Sequence, residues 1–186
     1  MDLFIKQWVK ESTTNNVASC YFCSNLGVVY SGIKPAEIIS VSAERLHQCI
    51  RLRNQVTCII LGKKGEKYKL FVYNPKKLEE TLNKQVVLHY LVQCGYSETF
   101  NLSDYLNTLV LRLRNSDRFP HEIGFFLGYP VKDVLGFMGL VDLPFAKTMG
   151  WRMYGNTKTS EQLYYQVKHA KDEIIHYAKQ TQSIVC

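Results

Sequence analysis

The chain has 186 residues, 46% hydrophobic and 21% charged, a composition that supports a normal core and excludes a disordered or fibrous protein. Its longest apolar runs, such as Val56–Leu61 interrupted by Thr57, are far too short to span a bilayer, and the opening MDLFIKQWVKES lacks the basic-then-apolar order of an export signal. A cytoplasmic protein with no membrane partner is therefore expected. Its six cysteines are read as thiols, and its formal net charge of +7 points to anionic partners.

In chain order, Leu3–Lys10 reads as a short opening helix. Ala36–Val41, rich in β-branched residues and entered after Pro35, predicts a strand. Ser42 then caps a helix to about Asn54, with Leu46, Cys49, Ile50 and Arg53 at helical spacing. Val56–Leu61 and Tyr68–Tyr73, joined by GKKGEK, predict a hairpin. Asn74-Pro75 ends it and opens a helix to Leu82. A further helix over Lys84–Cys94 stops at Gly95, and another runs from a Ser103 cap to Arg114.

Two short helices are expected between Phe119 and Met138, meeting at Gly128-Tyr129-Pro130. Trp151–Tyr154 predicts a short last strand. Thr159 with Gln162 forms a capping box for a long helix striped by Leu163, Val167, Ala170, Ile174 and Ala178. The order is that of an α+β protein, expected as a single domain over 1–186. A small, mostly antiparallel sheet would be covered by helices, in the manner of a ferredoxin-like βαββαβ plan with a helical insertion before the last strand.

The segments that could carry chemistry are few. Cys20 and Cys23 form a CxxC pair, but no second pair or nearby histidines complete a tetrahedral metal site, so reduced, zinc-free cysteines are expected. Gly155–Ser160 precedes the last helix yet lacks the glycines of a phosphate loop, leaving at most a simple anion site. The stretch FPHEIGFFLGYP presents His121 and Glu122 beside fixed turns, and Phe125 stands where a metalloprotease helix needs its second histidine. His121 there serves as an acid, base or ligand, or simply packs under the loop. Lys34, in the turn Gly32-Ile33-Lys34-Pro35-Ala36, is a candidate holder of a small anionic ligand.

Taken together, GIKPA (Gly32–Ala36), VYNP with Leu78, FPHEIGFFLGYPVKDVLGFM (Phe119–Met138) and GWRMYG (Gly150–Gly155) resemble an uncharacterised bacterial family. That family occurs chiefly in anaerobic Firmicutes and is described only as a domain of unknown function. The resemblance spans roughly Val17 to the final helix. It implies that Cys23 and Lys34 belong to the family's first turn. Met149 stands where members tend to carry a second Cys, which argues against a paired-thiol mechanism. The resemblance also implies an accessory role in redox or iron metabolism, and names no cofactor.

Three readings follow. The first is a ligand-binding or protein-interaction module, with Lys34, His121, Tyr129, Trp151 and Tyr154 gathered around one pocket and an acidic redox protein such as a flavodoxin as partner. The second is an enzyme, using Cys23 as nucleophile or His121, with Glu122, in acid–base work. The third is a nucleic-acid binder. The dispersal of basic residues among Glu44, Glu66, Glu79, Glu80 and Asp117 argues against that one.

Overall fold

The computed structural model describes residues 1, 3–12, 17–50, 56–115 and 119–183. Arg53, Asn54 and Asp117, named above, lie outside them. The fold is α+β. Its elements are α1 (Leu3–Ser12), α2 (Val17–Tyr30), β1 (Ala36–Ser42), α3 (Ala43–Ile50), β2 (Thr57–Lys64), β3 (Lys67–Tyr73), α4 (Pro75–Leu82) and α5 (Gln85–Gln93). There follow α6 (Leu102–Asn115), α7 (Ile123–Phe126), α8 (Val131–Met138), β4 (Phe145–Met149), β5 (Trp151–Tyr154) and α9 (Lys158–Ser183).

The sheet follows from strict alternation along β3. Tyr68, Leu70 and Val72 point to one face, Phe71 and Tyr73 to the other. β3 lies between β1 and β2, antiparallel to both, in the order β1-β3-β2. The register matches apolar residues across it: Ile39 faces Leu70 and Val41 faces Tyr68, while Ile38 and Ile59 flank Phe71. A bulge between Ile60 and Gly62 inserts Leu61, whose side chain is buried on the Phe71 face.

Each face of the sheet has its own core. Ile39, Leu70 and Val72 pack with Trp8 of α1, Leu26 of α2, Cys49 of α3 and Ile174 of α9. Phe71 and Tyr73 pack with Leu78, Leu91, Leu109, Phe125 and Val134 of the helices α4 to α8. The stripe expected on α9 is real, with Ala170, Ile174 and Ala178 buried against α2.

Several expectations need correction. The strand Trp151–Tyr154 forms but does not join the sheet. It pairs with β4 around Gly150, which turns the chain at φ 72°. The three strands β1, β3 and β2 thus keep the first part of a ferredoxin-like plan, and the fourth place is not taken by β5. The physical reason is packing: Met153 and Tyr154 are buried, and Tyr154 sits on the glycine face of α8 at Gly136. The helix α2, absent from the sequence reading, is apolar nearly all round because α1, α9 and the sheet cover it, so it carries no amphipathic period. Asn101 rather than Ser103 caps α6, accepting from the N–H groups of Ser103 and Asp104. Asn156 rather than Thr159 accepts at the start of α9, from the N–H of Lys158.

Gly136 allows the closest approach of α8 to β5. A Cβ there would lie 2.6 Å from Cγ of Tyr154. Alanine would favour the helix by about 0.5–1 kcal/mol over glycine, but the ring and backbone of Tyr154 would have to move. Overpacking of this kind costs roughly 1–3 kcal/mol, so Gly136→Ala is expected to lower the denaturation midpoint in urea. An unchanged or raised midpoint would show that β5 is free to shift.

Candidate functional site

Pro130 sets the start of α8 and places Asp133 in its first turn, pointing inward with 1% of its surface exposed. A buried carboxylate must find donors. Asp133 accepts from Lys132 Nζ at 2.6 Å, Ser160 Oγ at 2.6 Å, Trp151 Nε1 at 2.9 Å and the backbone N–H of Tyr154 at 2.9 Å. Burial alone would push its pKa up. The bonds from Lys132, Ser160, Trp151 and Tyr154 outweigh burial and hold it below the usual carboxylate value. One side chain thereby joins α8, β5 and the first turn of α9.

The bond to Nε1 fixes the indole of Trp151, which stacks on Tyr129 with ring centroids 4.8 Å apart and planes at 18°. This stacked pair separates two concavities. On one side lies a cavity of about 490 Å³ whose floor is Gly124 and Val134 and whose mouth carries His121, Phe137 and Arg152. The His121 ring stands edge-on to Phe137 at 4.9 Å, and the Arg152 guanidinium lies over the same phenyl ring at 5.8 Å. Phe119, also on this rim, carries the Lys69 ammonium 3.9 Å above its ring. On the other side a chamber of about 360 Å³ is lined by Lys34, Glu37 and Lys171.

The structure brings the Gly32–Ala36 turn against the Phe119–Pro130 block. Gly128, at φ 77°, is so close to Pro35 that a Cβ would sit 2.5 Å from its Cδ. Nevertheless Lys34 and His121 do not share a pocket. The Lys34 amino group lies over the Tyr129 ring, 5.5 Å from its centroid, and lines the chamber with Glu37 and Lys171, while His121 lines the cavity with Phe137. Tyr129 and Trp151 line both. Tyr154 is buried behind the site, its backbone tied to Asp133 and Lys132.

Of the residues proposed for catalysis, His121 and Glu122 border one surface concavity beside Arg112, while Cys23 lies apart from them. Cys23 is fully buried in the α2 core, and burial pushes its thiol up to about 12, a poor nucleophile at neutral pH. Glu122 turns away from solvent to pair with Arg112, and the Tyr96 hydroxyl donates to it at 3.4 Å. Arg112 also donates to the Cys94 carbonyl at 2.6 Å, so Glu122 anchors α6 to the turn before α7. Among the described residues no hydrogen bond reaches the His121 ring, and no three His, Cys, Asp or Glu side chains converge as metal ligands. At the start of α9, where a simple anion site was expected, Asn156 accepts from the Lys158 N–H, and Glu161 accepts from the Thr157 hydroxyl and pairs with Lys147 at 2.7 Å.

Asp133 escaped the sequence reading. Its one signal was a lone acidic residue among Val131, Val134 and Leu135 on a short helix.

A family model described as protein of unknown function (DUF3793) matches residues 21–186. The chain belongs to that family. The matched span covers everything from within α2 onward, and so includes both concavities, the stacked pair and Asp133. No curated protein and no solved structure matches the chain.

Two outcomes are expected. A carboxyl with a depressed folded-state pKa adds stability above its ordinary value of 3.8 and loses it as pH falls through the folded-state value. Asp133→Asn should therefore cost roughly 3 kcal/mol at pH 7, with the gap to the wild type narrowing below about pH 4. A gap that stays constant down to acid, in urea melts of both proteins, would deny the carboxylate this role. For Cys23, alkylation by iodoacetamide at pH 7.5 should be detectable by peptide mass spectrometry only after denaturation. Rapid native labelling would restore the nucleophile.

Proposed function

We propose that this family member is a ligand-binding module, and that its ligand is a flat, largely apolar molecule carrying an acidic group. The observation that carries this is the cavity between Phe137 and the Tyr129–Trp151 pair, an aromatic-walled concavity with cations only at its mouth. Its volume of about 490 Å³ falls within the range of small-molecule sites. Asp133 holds the indole wall rigid, so little side-chain entropy is lost on binding. The charge of Asp133 is already matched by four donors, which leaves Arg152 and Lys69 to attract an anionic group.

Binding is favoured over catalysis because Cys23 is buried in the α2 core, and Glu122, although it borders one concavity with His121, is committed to Arg112 and Tyr96. A nucleic-acid reading has little support: Lys34, Lys77, Arg112, Lys132, Lys147, Lys168 and Lys171 are all paired with carboxylates of the same chain. The net charge of +7 supports an acidic redox protein such as a flavodoxin as the partner of the module, in an accessory role in redox or iron metabolism.

The test uses 1-anilinonaphthalene-8-sulfonate, a flat aromatic sulfonate, in a fluorescence titration. One saturable site is expected. Phe137→Ala removes an apolar wall worth about 1.5–3 kcal/mol when fully covered, so affinity should fall by roughly tenfold or more. Arg152→Gln should weaken binding less and flatten its salt dependence. Binding that is absent, or indifferent to both substitutions, overturns the proposal.

A further inference from the structure

We propose that the second chamber, behind the Tyr129–Trp151 wall, is a separate binding site for the carboxylate of a small organic acid, received by Lys34 and Lys171. This site is independent of the aromatic cavity at His121, and the stacked rings lie between the two.

The chamber is built around an imbalance of charge. Lys34 Nζ donates to Glu37 Oε2 at 2.8 Å, and Lys171 Nζ approaches the same oxygen at 3.4 Å. Lys171 has a neutral second partner, Asn25 Oδ1, at 2.6 Å. Two ammonium groups thus share one carboxylate oxygen. The other charged residues lining the chamber, Lys168 and Asp172, pair with each other. One positive charge is left over in a partly covered place: Lys34 is 8% exposed, and the side chains of Lys171 and Glu37 are 27% and 18% exposed. An unmatched charge in such a place is costly unless a counter-charge can reach it. A small anion entering the chamber supplies that counter-charge.

The remaining walls define the body of the acid. Trp151 and Tyr164 lie 6.3 Å apart by ring centroids, and Tyr129 completes an aromatic side. With about 360 Å³ available, the chamber suits a compact apolar body attached to one carboxylate, not a highly charged phosphate ester. Burial, together with the neighbouring Lys171, lowers the Lys34 pKa from its ordinary 10.5, while Glu37 opposes the fall. The ammonium form is the one that pairs with a carboxylate, so affinity falls as pH rises through this lowered value.

The test is calorimetric titration with benzoate, with and without saturating anilinonaphthalenesulfonate. A single site is expected whose affinity is unchanged by the sulfonate and by Arg152→Gln. Lys34→Met and Lys171→Met should each weaken it about tenfold, the loss of one charge-assisted hydrogen bond. Glu37→Gln removes the internal competitor and should tighten it. Lys171 is more exposed than Lys34, so its variant keeps the test decisive if Lys34→Met does not fold. Absence of binding up to millimolar benzoate overturns the proposal. So does an affinity indifferent to Lys171→Met and Glu37→Gln, or one abolished by Arg152→Gln. None of these outcomes bears on whether the sulfonate binds at Phe137, so the two sites stand or fall separately.

Discussion

The second half of this molecule depends on the ionised carboxylate of Asp133. It is buried where a charge could not persist alone, and four donors from three elements make its burial tolerable. Each donor is in turn fixed by the bond it makes. Ser160 locates the start of α9, the backbone of Tyr154 locates β5, and the indole of Trp151 becomes a rigid wall. Take the charge away, and the hairpin β4–β5 keeps its packing on α8 and the Lys147–Glu161 pair but loses the bonds that fix the Trp151 indole and the Tyr154 N–H. The two concavities beside Trp151 are by-products of this arrangement, because the same bond that secures the fold orients the ring.

The sheet plays a different part. With only three strands it is too small to form a domain by itself, and it is stable because both faces are covered. Its two apolar faces lead to two cores, one of α1, α2, α3 and α9, the other of α4 to α8. The turns at Gly32–Ala36 and Phe119–Pro130 lie where these halves meet, and Tyr129 contacts both: its ring lies under Lys34 from the first half and against Trp151 from the last hairpin.

Much of the fold could be read from residue patterns. Asn74-Pro75, the GKKGEK loop and the stripe of α9 are local signals, and local hydrogen bonds and one-sided burial produce them directly. What escaped was set by tertiary contact. α2 is covered on nearly every side and shows no period. β4 is almost wholly exposed, so FAKTM has no alternation to notice. The sequence reading put Lys34, His121, Tyr129, Trp151 and Tyr154 around one pocket; His121, Tyr129 and Trp151 line a common cavity, and Lys34 and Tyr154 do not line it. The separation of Lys34 from His121 was not legible, because it is set by the pairing of Lys34 with Glu37, which only the folded chain reveals. Glu122 and Cys23 looked reactive by type, and their partners and burial, which only the folded chain reveals, make them supports instead.

The contact between Gly128 and Pro35 has a consequence for substitution at either site. Gly128 is in a left-handed conformation, with no room between it and the Pro35 ring for even a methyl group. Substitution at either position alone changes the fit: a side chain at 128 meets the proline, and a bulkier, freer residue at 35 meets the glycine turn. These two positions, remote along the chain, are therefore coupled sterically. A change in the turn before the first strand is felt in the turn after α7, and substitutions at the two positions should not add independently in stability.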